Sequence, residues 1–133
     1  MPKRMSEYPT ELELLILQVL WEKFPLPVGD VQERLAKGCA KRDLTYSTVI
    51  TVLNVMVRKK YLKREKQGKA FLYSPLVTEE SVSQGMLGDI VDRVFDGSAS
   101  SVMMNLLEKG DMDPEELKEI RKMINRIVRG DSQ

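Results

Sequence analysis

Apolar residues near the start of the chain follow two helical faces. The first face carries five aliphatic residues at the spacing i, i+3, i+4, i+7 and i+8: Leu12, Leu15, Ile16, Val19 and Leu20. Thr10 and Glu13 have the spacing of a capping box, so this helix is predicted to begin after Thr10. The prolines of the FPLP segment end it. A shorter helix is predicted over about 28–37, with Val31 and Leu35 turned inward.

Residues 45–57 contain eight β-branched side chains, which favour strands because they suit a pleated surface. The spacing of the apolar residues indicates a helix instead, because one face holds five of them: Val49, Val52, Leu53, Met56 and Val57. The opposite face is polar and can form hydrogen bonds: Ser47, Thr51, Asn54 and Arg58. We therefore predict a helix over about 46–60, with Thr45 as its N-cap.

The segment after this helix predicts a β-hairpin. Two short runs flank a turn at Gly68, which can adopt the positive φ of a hairpin tip. Phe71 and Tyr73 share one face of the second run, and Pro75 ends it. Three helices followed by a basic hairpin have the order of a winged helix-turn-helix. We therefore predict a mainly α fold with a winged-helix domain over residues 1–76.

Residues 77–133 have the pattern of three further helices. These helices are expected after Thr78, from Ser98 to about Lys109, and after Asp113. So short a segment cannot easily bury three apolar faces alone, so we predict a helical dimerisation domain that packs on a second copy of the chain. The predicted interface residues are Val82, Met86, Ile90, Val91, Val94, Leu106, Leu117, Ile120, Ile124 and Ile127.

Charge is divided unevenly between the two segments, although the net charge is only +1. Residues 1–76 carry 14 Lys and Arg against 8 Asp and Glu, whereas residues 77–133 carry 7 against 12. The basic excess is largest within 41–69, where nine basic residues occur with only Asp43 and Glu65. This pattern is typical of a surface that binds nucleic acid, although a solvated basic face has the same composition.

Composition argues against several other classes of function. The chain has no histidine and only one cysteine, Cys39, so the usual zinc sets, the common catalytic pairs and an internal disulfide are missing. It also has no phosphate-binding loop, and no aliphatic run is long enough for a membrane span. We expect a cytoplasmic protein that is not an enzyme and needs no cofactor or metal. Cys39 is given no role.

The outward face of the third helix and the basic residues around it form the predicted DNA-binding surface. Hydroxyl and amide groups can meet base edges in a major groove, and Lys and Arg neutralise phosphates. The helix and the preceding loop contribute Lys41, Arg42, Tyr46, Ser47, Thr48, Thr51, Asn54 and Arg58. The hairpin, or wing, contributes phosphate or minor-groove contacts: Lys63, Arg64, Lys66 and Lys69. An alternative role for Thr48 is a hydrogen bond at the helix terminus.

Five segments carry a resemblance to a known family: TELELLILQVLW, VGDVQERL, LTYSTVITVLNVMVRKKYL, GKAFLYSP and DRVFDGSASSVMMNLLE. Over about residues 8–128 the chain resembles the BlaI/MecI/CopY family of penicillinase and methicillin-resistance repressors. The most specific motifs are STV-T-L in the third helix, GK-x-x-x-Y-x-P in the hairpin and FDGS near the C-terminus. The resemblance implies a cytosolic homodimer that binds a palindromic operator and represses transcription, with intertwined C-terminal helices.

The resemblance also implies a route to induction. In family members paired with a membrane-bound sensor protease, cleavage occurs within a stretch similar to MMNLLEKGD, which places the bond between Asn105 and Leu106 here. A segment that merely packs a helix would look the same. Two features depart from the family. Ser47 stands where relatives often have a basic residue, which implies a different operator, and the C-terminus lacks the cysteine cluster of the copper-responsive branch.

A rival interpretation belongs to another class of protein. In it the chain is a winged-helix protein-interaction module that docks a different protein through residues 79–128, and its basic patch is incidental. The sequence feature against this interpretation is that the basic residues coincide with the polar face of the third helix.

Overall fold

The computed structural model describes residues 8–38 and 41–130, which form six helices and one antiparallel hairpin. In chain order the elements are α1 (Glu11–Glu22), α2 (Val28–Lys37), α3 (Tyr46–Arg58), β1 (Leu62–Gln67), β2 (Ala70–Pro75), α4 (Glu79–Arg93), α5 (Ala99–Lys109) and α6 (Pro114–Val128). The predicted mainly α architecture, with a hairpin after the third helix, is confirmed. Cys39, to which the sequence assigned no role, lies outside the described residues.

These elements belong to two compact units, which divide between Leu87 and Gly88, inside α4. The first unit holds α1, α2, α3, the hairpin and the first turns of α4. The second holds the end of α4 with α5 and α6. The domain boundary predicted after residue 76 falls before α4, whereas the first compact unit continues into this helix. That boundary remains a prediction.

The first unit has a hydrophobic core to which all three N-terminal helices and the hairpin contribute. Its buried members are Ile16, Leu17, Leu20, Leu26, Val28, Val31, Leu35, Val49, Leu53, Met56, Leu62 and Tyr73. Each such side chain contributes about 1.5–3 kcal/mol when it is fully buried. This core therefore fixes the position of α3 and of the hairpin relative to α1 and α2.

Helix α3 is made of the β-branched segment, as its apolar spacing predicted. Its N-cap is Thr45, whose side chain accepts a hydrogen bond from the backbone N–H of Thr48. The predicted end at residue 60 was too late, because the helix ends at Arg58. Lys60 adopts a left-handed φ of 69°, which is incompatible with a further helical turn.

The hairpin is fastened to the helices by backbone hydrogen bonds. Gly68 has the predicted positive φ, 64°, at the turn between β1 and β2. Leu26, in the segment between α1 and α2, pairs with Tyr73 through two backbone hydrogen bonds of 2.9 and 3.1 Å. The indole Nε1 of Trp21 donates to the carbonyl oxygen of Val77, at 2.9 Å. The wing is therefore part of the same packed body as α3.

The predicted capping box at the start of α1 is present and has an additional partner. Glu13 Oε1 accepts the backbone N–H of Thr10 at 2.9 Å, and Oε2 accepts Lys59 Nζ at 2.9 Å. Glu13 is buried, and its ion pair with Lys59 joins the start of α1 to the end of α3.

The Tyr61 phenol lies near this ion pair. Burial raises the pKa of the phenol, and the negative charge of Glu13 raises it further, whereas the positive charge of Lys59 lowers it.

The second unit has capped helices but no buried core in the single chain. Ser98 caps α5, and Asp113 forms a capping box with Glu116 at the start of α6, where Pro114 takes the first helical position as predicted. In the described residues 88–130, no side chain is fully buried.

Among the helices of both described ranges, none combines the length and the apolar composition that a membrane crossing requires.

Candidate nucleic-acid interface

Helix α3 turns its polar face to solvent because its opposite face is held in the core. Val49, Leu53 and Met56 are fully buried. The predicted site residues that are exposed on this helix are Tyr46, Ser47, Thr48, Thr51 and Arg58. These side chains combine hydroxyl groups with one guanidinium group, which suits contacts to base edges and phosphates.

Hydrogen bonds hold the loop before α3 and its first turn. Gln32 of α2 donates its side-chain amide to the carbonyl oxygen of Leu44 at 2.9 Å, and Arg42 donates its backbone N–H to Leu35. The Thr45 hydroxyl donates to the Thr48 hydroxyl at 2.9 Å. The helix-terminal hydrogen bond that was the alternative role for Thr48 is therefore present, although its side chain is also exposed.

Asn54 differs from the other polar residues of α3, because its side chain does not simply project outward as the helical pattern indicated. It is half-buried, and its Oδ1 accepts two hydrogen bonds from the hairpin. The donors are Arg64 Nη1 at 2.9 Å and the Tyr73 hydroxyl at 3.2 Å. The reason is a tertiary contact, because the wing packs against this part of α3 and its donors use both acceptor positions of the amide oxygen.

The basic residues of the wing have different surroundings. The Arg64 guanidinium lies 4.5 Å from the centroid of the Phe71 ring, a cation–π distance. Lys63 forms a long ion pair with Glu65, at 3.9 Å. Lys66 and Lys69 are exposed, and their side chains make no hydrogen bond or ion pair with any residue that the structure describes. The two lysines are therefore available to mobile anions such as phosphates.

The basic excess of residues 41–69 is partly neutralised by the fold. Lys59 is paired with the buried Glu13 and is not available to an outside anion. The positive groups that stay exposed or half-exposed lie before α3, at its end and along the wing: Lys41, Arg42, Arg58, Lys60, Lys63, Arg64, Lys66 and Lys69. They belong to the segments that directly precede and follow α3 in the chain and to the last residue of this helix. Within residues 8–38 and 41–130, no group of His, Cys, Asp and Glu side chains could hold a metal ion.

The residues predicted for the dimer interface are not equivalent in the single chain. Val82 packs against the core of the first unit and is not freely available to a partner. Met86, Val91 and Ile120 are half-buried. The remaining predicted residues are exposed: Ile90, Val94, Leu106, Leu117, Ile124 and Ile127. Asn105 and Leu106, which flank the predicted cleavage bond, are exposed within α5.

Sequence reasoning missed the contacts that join Asn54 and Arg64 to Phe71 and Tyr73. A turn centred on Gly68 already implies the hairpin register, in which Arg64 lies opposite Tyr73. That register could have indicated that the arginine and the aromatic residues share a face. It could not have indicated that this face meets Asn54, because the contact depends on how the hairpin packs on α3.

Comparison with known proteins covers nearly the whole chain. The family model described as "Penicillinase repressor" matches residues 9–126. Similar curated proteins include the methicillin resistance regulatory protein MecI of Mammaliicoccus sciuri, with 24% identity over 84% of this chain and 88% of that protein. The penicillinase repressor of Bacillus licheniformis is 25% identical over 86% of this chain and 88% of that protein. The transcriptional regulator BlaI of Mycobacterium tuberculosis is 27% identical over 90% of this chain and 85% of that protein.

Two solved structures are also similar. The solution structure of the DNA-binding domain of the repressor BlaI has 26% identity and a TM-score of 0.45, and the match covers 53% of this chain and 82% of that one. A MarR family protein from Bacillus stearothermophilus has 18% identity and a TM-score of 0.49, and the match covers 97% of this chain and 80% of that one.

Proposed function

Because the chain belongs to the penicillinase repressor family, we propose that it represses transcription in the cytoplasm as a homodimer bound to a palindromic operator. One observation carries the DNA-binding part of this proposal. The exposed hydroxyl face of α3 and the basic residues of the loop, helix end and wing lie in one packed unit. This arrangement combines groups that read bases with groups that neutralise phosphates.

In the proposed complex each subunit inserts α3 into a major groove. Tyr46, Ser47 and Thr51 are the residues we assign to base edges, because they are exposed near the start of the helix. The Thr48 hydroxyl accepts a hydrogen bond from Thr45 at the helix cap, and we assign it a contact with DNA as well. The phosphate contacts are assigned to the basic residues around them: Lys41, Arg42, Arg58, Lys63, Lys66 and Lys69.

The proposed homodimer rests on the apolar surface of the second unit. Residues 88–130 bury no side chain fully in the single chain, yet they carry many large hydrophobic residues: Ile90, Val94, Met103, Met104, Leu106, Leu107, Leu117, Met123, Ile124, Ile127 and Val128. A soluble chain does not usually leave so many exposed together. A second copy supplies an identical apolar face, and the resulting two-fold axis matches a palindromic operator.

Induction by a membrane-bound sensor protease is a further part of the proposal. The bond between Asn105 and Leu106 lies inside α5, so a protease that needs an extended substrate has to unwind this helix locally. We expect a neighbouring gene that encodes a membrane protease with a sensor domain. If the gene is absent, this part of the proposal fails, and DNA binding is unaffected.

A gel shift with the DNA upstream of the chain's own gene tests the proposed function. The full chain should shift this duplex at ~50 mM salt and retain a complex at ~200 mM salt, where binding to a scrambled duplex of the same composition is lost. A winged-helix module that binds only other proteins would shift neither duplex. Equal shifts of both duplexes at both salt concentrations would show sequence-independent binding and would contradict the operator proposal.

A further inference from the structure

A cluster of four side chains joins α3 to the wing, and the proposed function does not use it. Arg64 of β1 donates a hydrogen bond to Asn54 of α3, and the hydroxyl of Tyr73 on β2 donates to the same oxygen. Phe71, two residues before Tyr73 on the same face of β2, stacks under the Arg64 guanidinium. Tyr73 itself is fully buried, so its hydroxyl has a fixed position.

The chemistry of the donors determines the orientation of the Asn54 amide. A guanidinium group has N–H donors and no acceptor, so the atom 2.9 Å from Arg64 Nη1 has to be the amide oxygen. The Tyr73 hydroxyl occupies the second acceptor position of this oxygen. Bidentate recognition of adenine by asparagine needs both its oxygen and its nitrogen. In this arrangement Asn54 has no free oxygen for a base.

Arg64, in contrast, is exposed and held in one orientation. The hydrogen bond to Asn54 uses one of its five N–H donors, and the guanidinium lies over the Phe71 ring, 4.5 Å from its centroid, so two contacts restrict its orientation. The remaining donors are free to meet an acceptor pair. Lys66 is two residues further along β1 on the same face of the hairpin, but it contacts none of the described side chains through a hydrogen bond or ion pair.

We propose that Arg64 reads a base edge where α3 meets the wing, and that Asn54, Phe71 and Tyr73 are positioning residues that hold its guanidinium for this contact. The base class follows from the chemistry, because a planar fork of N–H donors matches the O6 and N7 acceptors of guanine in the major groove. The inference rests on the proposed function, since it assigns residues within the same DNA interface. It moves Arg64 from the general phosphate contacts of the wing to sequence recognition.

Selection of duplexes from a randomised library tests the role of Arg64. The wild-type chain should select guanine at one position in each half-site. Arg64→Ala should lose that preference and bind the selected duplex about tenfold more weakly. The matched control is Lys66→Ala, which removes the same charge from the same strand and should weaken binding to all duplexes alike. If both variants keep the guanine preference, Arg64 is an ordinary phosphate contact and the inference is wrong.

Arg64→Lys separates charge from geometry. Lysine keeps the positive charge but cannot present a planar fork or stack in the same way. We expect this variant to lose the guanine preference as Arg64→Ala does, while the salt dependence of its binding stays that of the wild type. Recovery of the preference by lysine would show that a point charge is sufficient and would overturn the inference.

A double-mutant cycle tests the positioning role of Asn54. Asn54→Ala should weaken binding to the selected duplex by about tenfold in the wild-type background but by less than about twofold in Arg64→Ala. Multiplicative effects would mean that Asn54 acts independently of Arg64, which contradicts the inference. Thermal unfolding of each variant, followed without DNA, shows whether a loss of binding reflects a loss of fold.

The library experiment also distinguishes this inference from the proposed function. If the wild-type chain selects no sequence at all, the proposed function fails, and the Arg64 inference fails with it. If the wild-type chain selects a two-fold symmetric sequence while Arg64→Ala behaves as Lys66→Ala does, only the Arg64 inference fails.

Discussion

At the scale of single residues, Glu13 has a larger structural role than its place in a capping box indicates. One of its carboxylate oxygens accepts the N–H of Thr10, and the other accepts the ammonium group of Lys59. Because the carboxylate is buried, each bond is poorly screened by water. Glu13 thus couples the start of α1 to the end of the helix that we assign to the major groove.

Glu13→Ala should lower the free energy of unfolding by about 1–3 kcal/mol, because it removes a helix cap and leaves Lys59 without its buried partner. Chemical denaturation of the purified chain measures the change. Glu33→Ala is the control, since its ion pair with Lys37 is exposed and screened by solvent, so its loss should lower the free energy of unfolding less than the loss of Glu13 does. Equal losses in the two variants would contradict the role of Glu13.

Residues that act locally were predictable from the sequence, and residues that act across the fold were not. The capping box of Thr10 and Glu13 follows from a three-residue spacing. The partner of Glu13, Lys59, is 46 positions further along the chain. Asn54 shows the same limit: the helical spacing predicted an outward-facing amide, but the wing that occupies its oxygen comes from another element.

At the scale of elements, α3 shows that the period of the apolar residues outweighs their individual preferences. β-branched residues cost a few tenths of a kcal/mol each in a helix, so α3 would be unstable in isolation. Burial of its inner face in the core compensates for this cost. The starts of α1, α3, α5 and α6 were predictable because each has a capping residue at its N-terminus, whereas the end of α3 depended on the conformation of Lys60.

Thr51→Ala should change the base preference of the chain more than its general affinity for DNA. Thr51 is exposed on α3, and we assign its hydroxyl to a base edge. Titrations of the selected duplex and of a random duplex measure the two affinities separately. Lys69→Ala is the control, because loss of an exposed wing charge should weaken both and reduce the salt slope by about one for each subunit. Equal losses for Thr51→Ala on both duplexes would remove it from the base-reading residues.

At the scale of the whole molecule, the two units differ in whether a single chain buries their hydrophobic side chains. The first unit has its own core and a basic surface, so it can fold around its own hydrophobic residues. The second unit leaves its apolar side chains uncovered in the single chain. The sequence predicted this difference through the wide apolar faces of residues 77–133, but a single chain does not reveal which residues of two copies would meet.

Ile124→Glu should convert the proposed dimer into a monomer, because it places a charge among the exposed apolar residues of α6 that we assign to the interface. Light scattering or sedimentation gives the molar mass. Lys122→Glu is the control, since it changes a charge on an exposed position of the same helix and should leave the mass unchanged. If the Ile124→Glu chain keeps the mass of the wild type, α6 does not form the interface.

Hydroxyl-radical footprinting of the DNA upstream of the chain's own gene, with the full wild-type chain, tests whether the chain binds its operator as a symmetric dimer. A homodimer that places one α3 in each of two major grooves should protect two half-sites related by a two-fold axis, with centres about 34–36 Å apart or a multiple of that spacing. Protection should disappear on a scrambled duplex. Protection of a single asymmetric site, or no protection at a concentration that saturates the gel shift, would contradict the account of a dimeric repressor.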